Sequence, residues 1–134
     1  MGSVAVDIAA HLENESLGVV GSESQWGIYI GKEPPAPNDC ITVYDTGGAE
    51  GNPDGPIYRP TIQVRVRSHD YSNGYNKAEA IRDALILPTA FVLNDRLFVG
   101  AWLISDVAKI GTDENDRELF TVNFRLMLEP YTTA

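Results

Sequence analysis

The sequence predicts an α+β domain, a largely antiparallel sheet of about four to six strands with two helices packed on one face. Three observations predict it. Residues 61–68, TIQVRVRS, and 118–128, ELFTVNFRLML, alternate apolar and polar side chains, the period of a strand with one face on a core. Residues 4–12 and about 72–87 instead carry apolar side chains at helical spacing. The order helix, strands, helix, strands lacks the regular alternation of a parallel α/β sheet. With 134 residues, 43% hydrophobic and 22% charged, the chain has the size and composition of one globular domain, residues 1–134, with a single core.

Taken in order, Ser3 caps a first helix that buries Val4, Ile8 and Leu12, with Asp7 near its positive end and Gly18 as its stop. WGIYIG, residues 26–31, sets Trp26, Ile28 and Ile30 on one side of a strand. KEPPAPND, residues 32–39, cannot be strand interior, because Pro34, Pro35 and Pro37 donate no backbone hydrogen bond. CITVYD, residues 40–45, is rich in β-formers. Residues 46–56, TGGAEGNPDGP, form a long exposed loop, a length that is often functional or disordered. Pro60 suggests an edge, a bulge or a late start to regular pairing in the strand that follows. Tyr75, Ala78, Ile81 and Leu85 mark the second helix, closed by Pro88. Asn94-Asp95 between apolar runs reads as a hairpin, and residues 111–116, GTDEND, as the next turn.

The chemistry-bearing residues are sparse. Ten basic against nineteen acidic residues give a net charge of −9, which opposes the phosphate neutralisation that nucleic-acid binding needs. DNA can pass such a surface without sticking. No apolar run reaches the ~20 residues of a membrane span, and residues 1–15 lack the pattern of a signal peptide. Cys40 is the single cysteine, so there is no intrachain disulfide, and it reads as a buried thiol. His11 and His69 have no second ligand at usable spacing, and His69-Asp70 on extended backbone point to opposite faces. DENDRE departs from a calcium loop at Arg117 and Glu118, and the glycine-rich loop leads into a strand instead of a phosphate-binding helix. Trp26 and Trp102 read as core or interface aromatics. The expectation is a protein with no catalytic residues, no cofactor and no metal.

One juxtaposition stands out. Arg65 and Arg67 share the face of their strand opposite Ile62, Val64 and Val66, in a chain that is otherwise acidic. Either that face is simply solvated, or it meets carboxylates of a neighbour. The candidates for the acidic side are Glu50 and Asp54 in the long loop, and Asp113, Glu114 and Asp116 in the late turn.

The proline-rich lead into CITVYDTGG, then PTIQVRVRSHDYSNGYNKAEAIRDAL, then DENDRELFTVNFRLML resembles small phage proteins of the tail terminator family, also called tail completion or minor capsid proteins. The resemblance covers about residues 4–129. It implies a virion structural protein, not an enzyme, whose fold is a sheet flanked by helices. It further implies a homo-oligomeric ring, typically a hexamer, that caps the tail tube protein and meets the head-neck connector protein. DNA would pass through the ring without sequence-specific binding, and assembly would take place in the host bacterial cytoplasm, away from membranes. The family supplies no catalytic positions to carry over. A neck or head-completion subunit is the nearest alternative. A small cytoplasmic ligand-binding domain or enzyme is the alternative of a different class.

Overall fold

The first helix, α1 (Val4–Asn14), starts as its sequence requires. Ser3 stays extended, and its hydroxyl accepts from the Ala5 N–H at 3.1 Å. Asp45, on a neighbouring strand, accepts from the same N–H at 3.1 Å and from the Ser3 hydroxyl. A carboxylate thus meets the positive end of the helix and ties it to the sheet. The helix stops before Gly18. Ser16 takes the left-handed backbone at the exit (φ 62°), and the Leu17 N–H bonds back to the Leu12 carbonyl. Gly18 serves close approach instead, since a Cβ there would run into the Trp26 carbonyl oxygen.

This computed structural model describes residues 3–24, 26–48, 59–86, 91–93 and 96–130. After α1 come β1 (Val19–Val20), β2 (Gly27–Ile30), β3 (Cys40–Gly48), β4 (Pro60–Ser68), α2 (Tyr71–Ile86), β5 (Phe91–Leu93), β6 (Arg96–Thr112) and β7 (Glu118–Pro130). They form one sheet in the order β1-β2-β3-β4-β7-β6-β5. β1, β2 and β3 run parallel, and every other pairing is antiparallel. The α+β class is as the patterning predicts. The sheet has seven strands where four to six were expected, and the shortest, β1, has only two residues. Of the loop expected over residues 46–56, Thr46 and Gly47 continue β3 and Gly48 pairs with Pro60, and residues 49–56 lie outside the described residues. Asn94-Asp95 and Pro88 lie outside the described residues, although the Leu93–Arg96 pairing is that of a hairpin.

Both helices lie on the same face, α1 over β1–β4 and α2 over β4, β6 and β7. Ile8 and Leu12 from α1 and Ile81 and Leu85 from α2 meet Ile41 and Val43 of β3, Ile62, Val64 and Val66 of β4, and Phe120, Val122, Phe124, Leu126 and Leu128 of β7 in one cluster. The alternation of β4 and β7 places their apolar sets there, as a period of two demands. No described helix lies on the other face.

Three features of that open face set up the site. Residues 31–39 carry the chain from β2 to its parallel neighbour β3, and they cross this face rather than the helical one. β6 departs from register with β7 at four places, so its side-chain alternation is repeatedly reset. Finally, β5 covers only Arg96–Phe98 of β6, which leaves the outer edge from Val99 to Thr112 without a strand partner among the described residues.

Candidate functional site

The paired arginines of β4 do lie opposite the core, but not as equals. Arg67 is only 2% exposed. Its Nη2 donates to the Pro37 carbonyl at 2.6 Å, its Nε to the Asn38 carbonyl at 3.4 Å, and its Nη1 lies 3.5 Å from Glu33. The proline-rich crossover has folded over it, because prolines leave carbonyls free and a buried guanidinium supplies several donors. Arg67 is therefore corrected from a surface contact to an internal clamp, and its carboxylate is Glu33 of its own chain. Arg65, one pleat away, keeps about a third of its side chain exposed. It lies 4.0 Å from Glu33 and 5.9 Å from the centre of the Tyr44 ring. Beneath the same crossover, burial pushes the Cys40 thiol up to about 11, with Arg67 pulling against it and Glu33 adding to it. A thiol so held is inert.

The late turn divides in the same way. Asp113 faces inward. Its Oδ1 accepts from the N–H groups of Asn115 (3.0 Å) and Arg117 (2.9 Å), and its Oδ2 from Arg117 Nε at 2.8 Å. Burial alone would raise this carboxyl. The donors from Arg117 and Asn115 outweigh it and hold it below the usual carboxylate range. Arg117 also donates to the Pro35 carbonyl at 2.7 Å, which fastens the turn to the crossover. Asp113 is thus a structural latch, whereas Glu114 and Asp116 project into solvent on a fixed turn. Glu50 and Asp54 lie outside the described residues.

Between these clamps and the other end of the sheet, the open face is uncharged and internally bonded. Thr46 and Thr61 share a hydrogen bond at 2.8 Å, Gln63 donates to Asn123 at 3.1 Å, and Asn123 donates to Ser105 at 2.8 Å. Further along, Trp102 of β6 stands opposite Arg125 of β7, and both are exposed. Sequence reasoning left Trp102 undecided between core and interface and passed over Arg125. The register shifts in β6 are what turn the indole outward, and no local pattern announces them.

Each histidine meets a partner within the fold. His69 Nδ1 lies 2.9 Å from Asp39, a buried carboxylate thirty positions away that also accepts the His69 N–H. Asp70, its sequence neighbour, caps α2 instead, accepting from the Asn73 N–H at 2.9 Å. His11 meets the Ala84 carbonyl at 3.3 Å between the two helices. No group of three or more His, Cys, Asp or Glu side chains suited to a metal occurs among the described residues, and no described helix is long and apolar enough to cross a membrane. Trp26 packs against the core and carries Lys77 over its ring at 4.8 Å. Burial lowers the Lys77 ammonium, whose Nζ donates to the Leu17 carbonyl at 3.0 Å.

Comparison with known proteins fits this pattern of a structural surface. No curated protein matches the chain. Among solved structures, a chain from the virion of a native gene transfer agent particle superposes with a TM-score of 0.70. The two are 18% identical, and the match covers 96% of each chain. That likeness establishes a shared fold. A family model described as bacteriophage tail terminator protein matches residues 11–130, nearly the whole of the sequence, and the chain therefore belongs to the bacteriophage tail terminator family of virion structural proteins.

Proposed function

We propose that this protein ends tail growth by closing as a homo-oligomeric ring, a hexamer by family resemblance, on the end of the tail tube. In this reading the ring also presents the joint to the head-neck connector. The observation that carries the reading is the open sheet face. A chain of net charge −9 keeps a face there, free of described helices, that carries the partly exposed Arg65 and the exposed Arg125. A face of that kind suits an acidic neighbour, and rings need two different complementary patches on each subunit. Arg65 forms part of one patch. Glu114 and Asp116, with Glu50 and Asp54 as further acidic candidates, form the other. The net negative charge lets DNA pass the ring without tight phosphate contacts. The protein acts by assembly and not by turnover.

The test is tube length. Tube protein polymerised with this chain present should give tubes that stop lengthening, each bound at one end, while tubes without it keep growing. Binding to the connector with no effect on tube length would identify a neck subunit instead. A stable monomer that binds neither would defeat both structural readings.

A further inference from the structure

The ring reading leaves open which residues meet. The most prepared surface outside the clamps is the exposed end of the open face at β6. Trp102 is 51% exposed, yet its indole is not adrift. A Cβ added at Gly100 would meet Cη2, Cζ2 and Cζ3 of that ring at 3.2, 3.4 and 3.6 Å. The ring therefore lies across the glycine backbone with one face seated and the other free. An aromatic already held in place loses little entropy when a partner covers it, which is the character of an interface anchor. Val99 and Ile104, also exposed, flank it along the same strand.

Charge indicates the occupant. Arg65, Arg67, Arg82 and Arg117 each have a carboxylate within 4.0 Å. Arg125, paired in register with Trp102, has none among the described residues, and the side chains near it on the open face (Thr61, Gln63, Asn123, Ser105) are neutral. An exposed aromatic beside an unpaired guanidinium calls for a carboxylate-bearing surface, and this chain is itself strongly acidic. Its own Glu114 and Asp116 are exposed on a turn held rigid by Asp113 and Arg117. They lie beyond Thr112, ten positions from Trp102 and so roughly 30 Å along β6 at the usual strand rise. One subunit cannot bring the two together. Two subunits can, and a contact made in one direction only, patch of one copy to turn of the next, is heterologous and repeats around a ring.

We propose that Trp102 and Arg125 dock the turn bearing Glu114 and Asp116 of a second copy of this chain. This rests on the ring reading above. The test uses the full chain with a photoreactive benzoylphenylalanine at position 102, bound to tail tubes and irradiated, beside charge-reversed variants. The expected result is a cross-link between two copies that maps to the peptide containing residues 113–118. Arg125→Glu should lower the fraction of capped tubes about tenfold or more. Glu114→Arg with Asp116→Arg should do the same, and the triple variant should recover capping. A cross-link from position 102 to the tube protein, to another virion protein or to a different peptide of this chain overturns the pairing. So does a ring in which position 102 reacts only with solvent, or a triple variant that is no better than its parents. The unmodified chain, imaged in parallel, reports on the ring itself. If it forms no ring on tubes, the function proposed above fails and this pairing fails with it. If rings form normally, a failure belongs to the pairing alone.

Discussion

At the scale of single residues, two arginines with the same sequence context have different work. Arg67 is buried among the Pro37 and Asn38 carbonyls and Glu33, so its removal strands polar groups away from water. Arg67→Ala should cost about 3 kcal/mol of stability in urea denaturation, in keeping with breaking a buried, hydrogen-bonded charge pair. Arg65→Ala should cost less than about 1 kcal/mol, since its group is partly in water and its carboxylate is at the limit of contact. Equal losses would contradict the division between clamp and surface. Cys40 offers a second check. Its thiol is held up to about 11 by burial, so native protein at pH 8 should react with a thiol reagent only as fast as it unfolds. A raised folded value also means that the Cys40 share of stability is complete below the unfolded thiol's pKa of ~8.5 and is lost as pH rises toward about 11. Replacing Cys40 with Ala should flatten that alkaline decline.

At the scale of elements, helix propensity and packing make opposite predictions at Gly74. In an exposed helix, Gly→Ala gains ~1 kcal/mol. Here the new Cβ would lie 2.6 Å from Phe120 Cε2 and 3.0 Å from Ser68 Cβ, both buried. Gly74→Ala should therefore destabilise, by about 1–3 kcal/mol, the usual cost of overpacking. A rise in melting temperature would show that α2 can lift off the sheet. The 113–117 turn makes a prediction in pH. Asp113 is held below the ordinary carboxylate range, so it contributes stability above its unfolded pKa, and that contribution is lost as pH falls through the folded value. Asp113→Asn should lower the melting temperature at neutral pH, and the gap from the native chain should shrink toward pH 2.

The same elements show what could be read beforehand. β4 and β7 were legible because each keeps strict alternation with one face in the core, and α1 because Ser3 and its apolar spacing announce it. The parallel pairing of β1–β3 was not, since nothing local encodes which strand lies beside which. The partner of His69 was missed for the same reason: Asp39 is close only after β3 and β4 have paired. Along β6 the alternation is broken by register shifts, so Trp102 could not be assigned a face. The arginine face itself was found, but its nearest carboxylate was sought on a neighbour. The proline run that excluded a strand gave no sign that it would fold back over Arg67.

At the scale of the whole molecule, the two ends of the sheet differ. At the β1 end the outward Val20 N–H is taken by Glu13 at 2.7 Å, so a side chain closes that edge. At the other end the outer edge of β6 has no strand partner from Val99 to Thr112 among the described residues, beside exposed Trp102, Ile104 and Ile110. The net charge of −9 opposes spontaneous closure of free subunits. The isolated chain should be monomeric or weakly associated at micromolar concentration, and light scattering should show larger species appearing as added salt screens the repulsion. A tight dimer at every salt concentration would count against a ring, because a two-fold contact uses one patch twice. The central claim, a ring that caps the tube, is tested most directly by averaged electron images of tail tubes mixed with the purified protein. The account predicts a closed ring with a central hole at one end of each tube. Tubes with both ends bare, or decorated along their length by single copies, would contradict it.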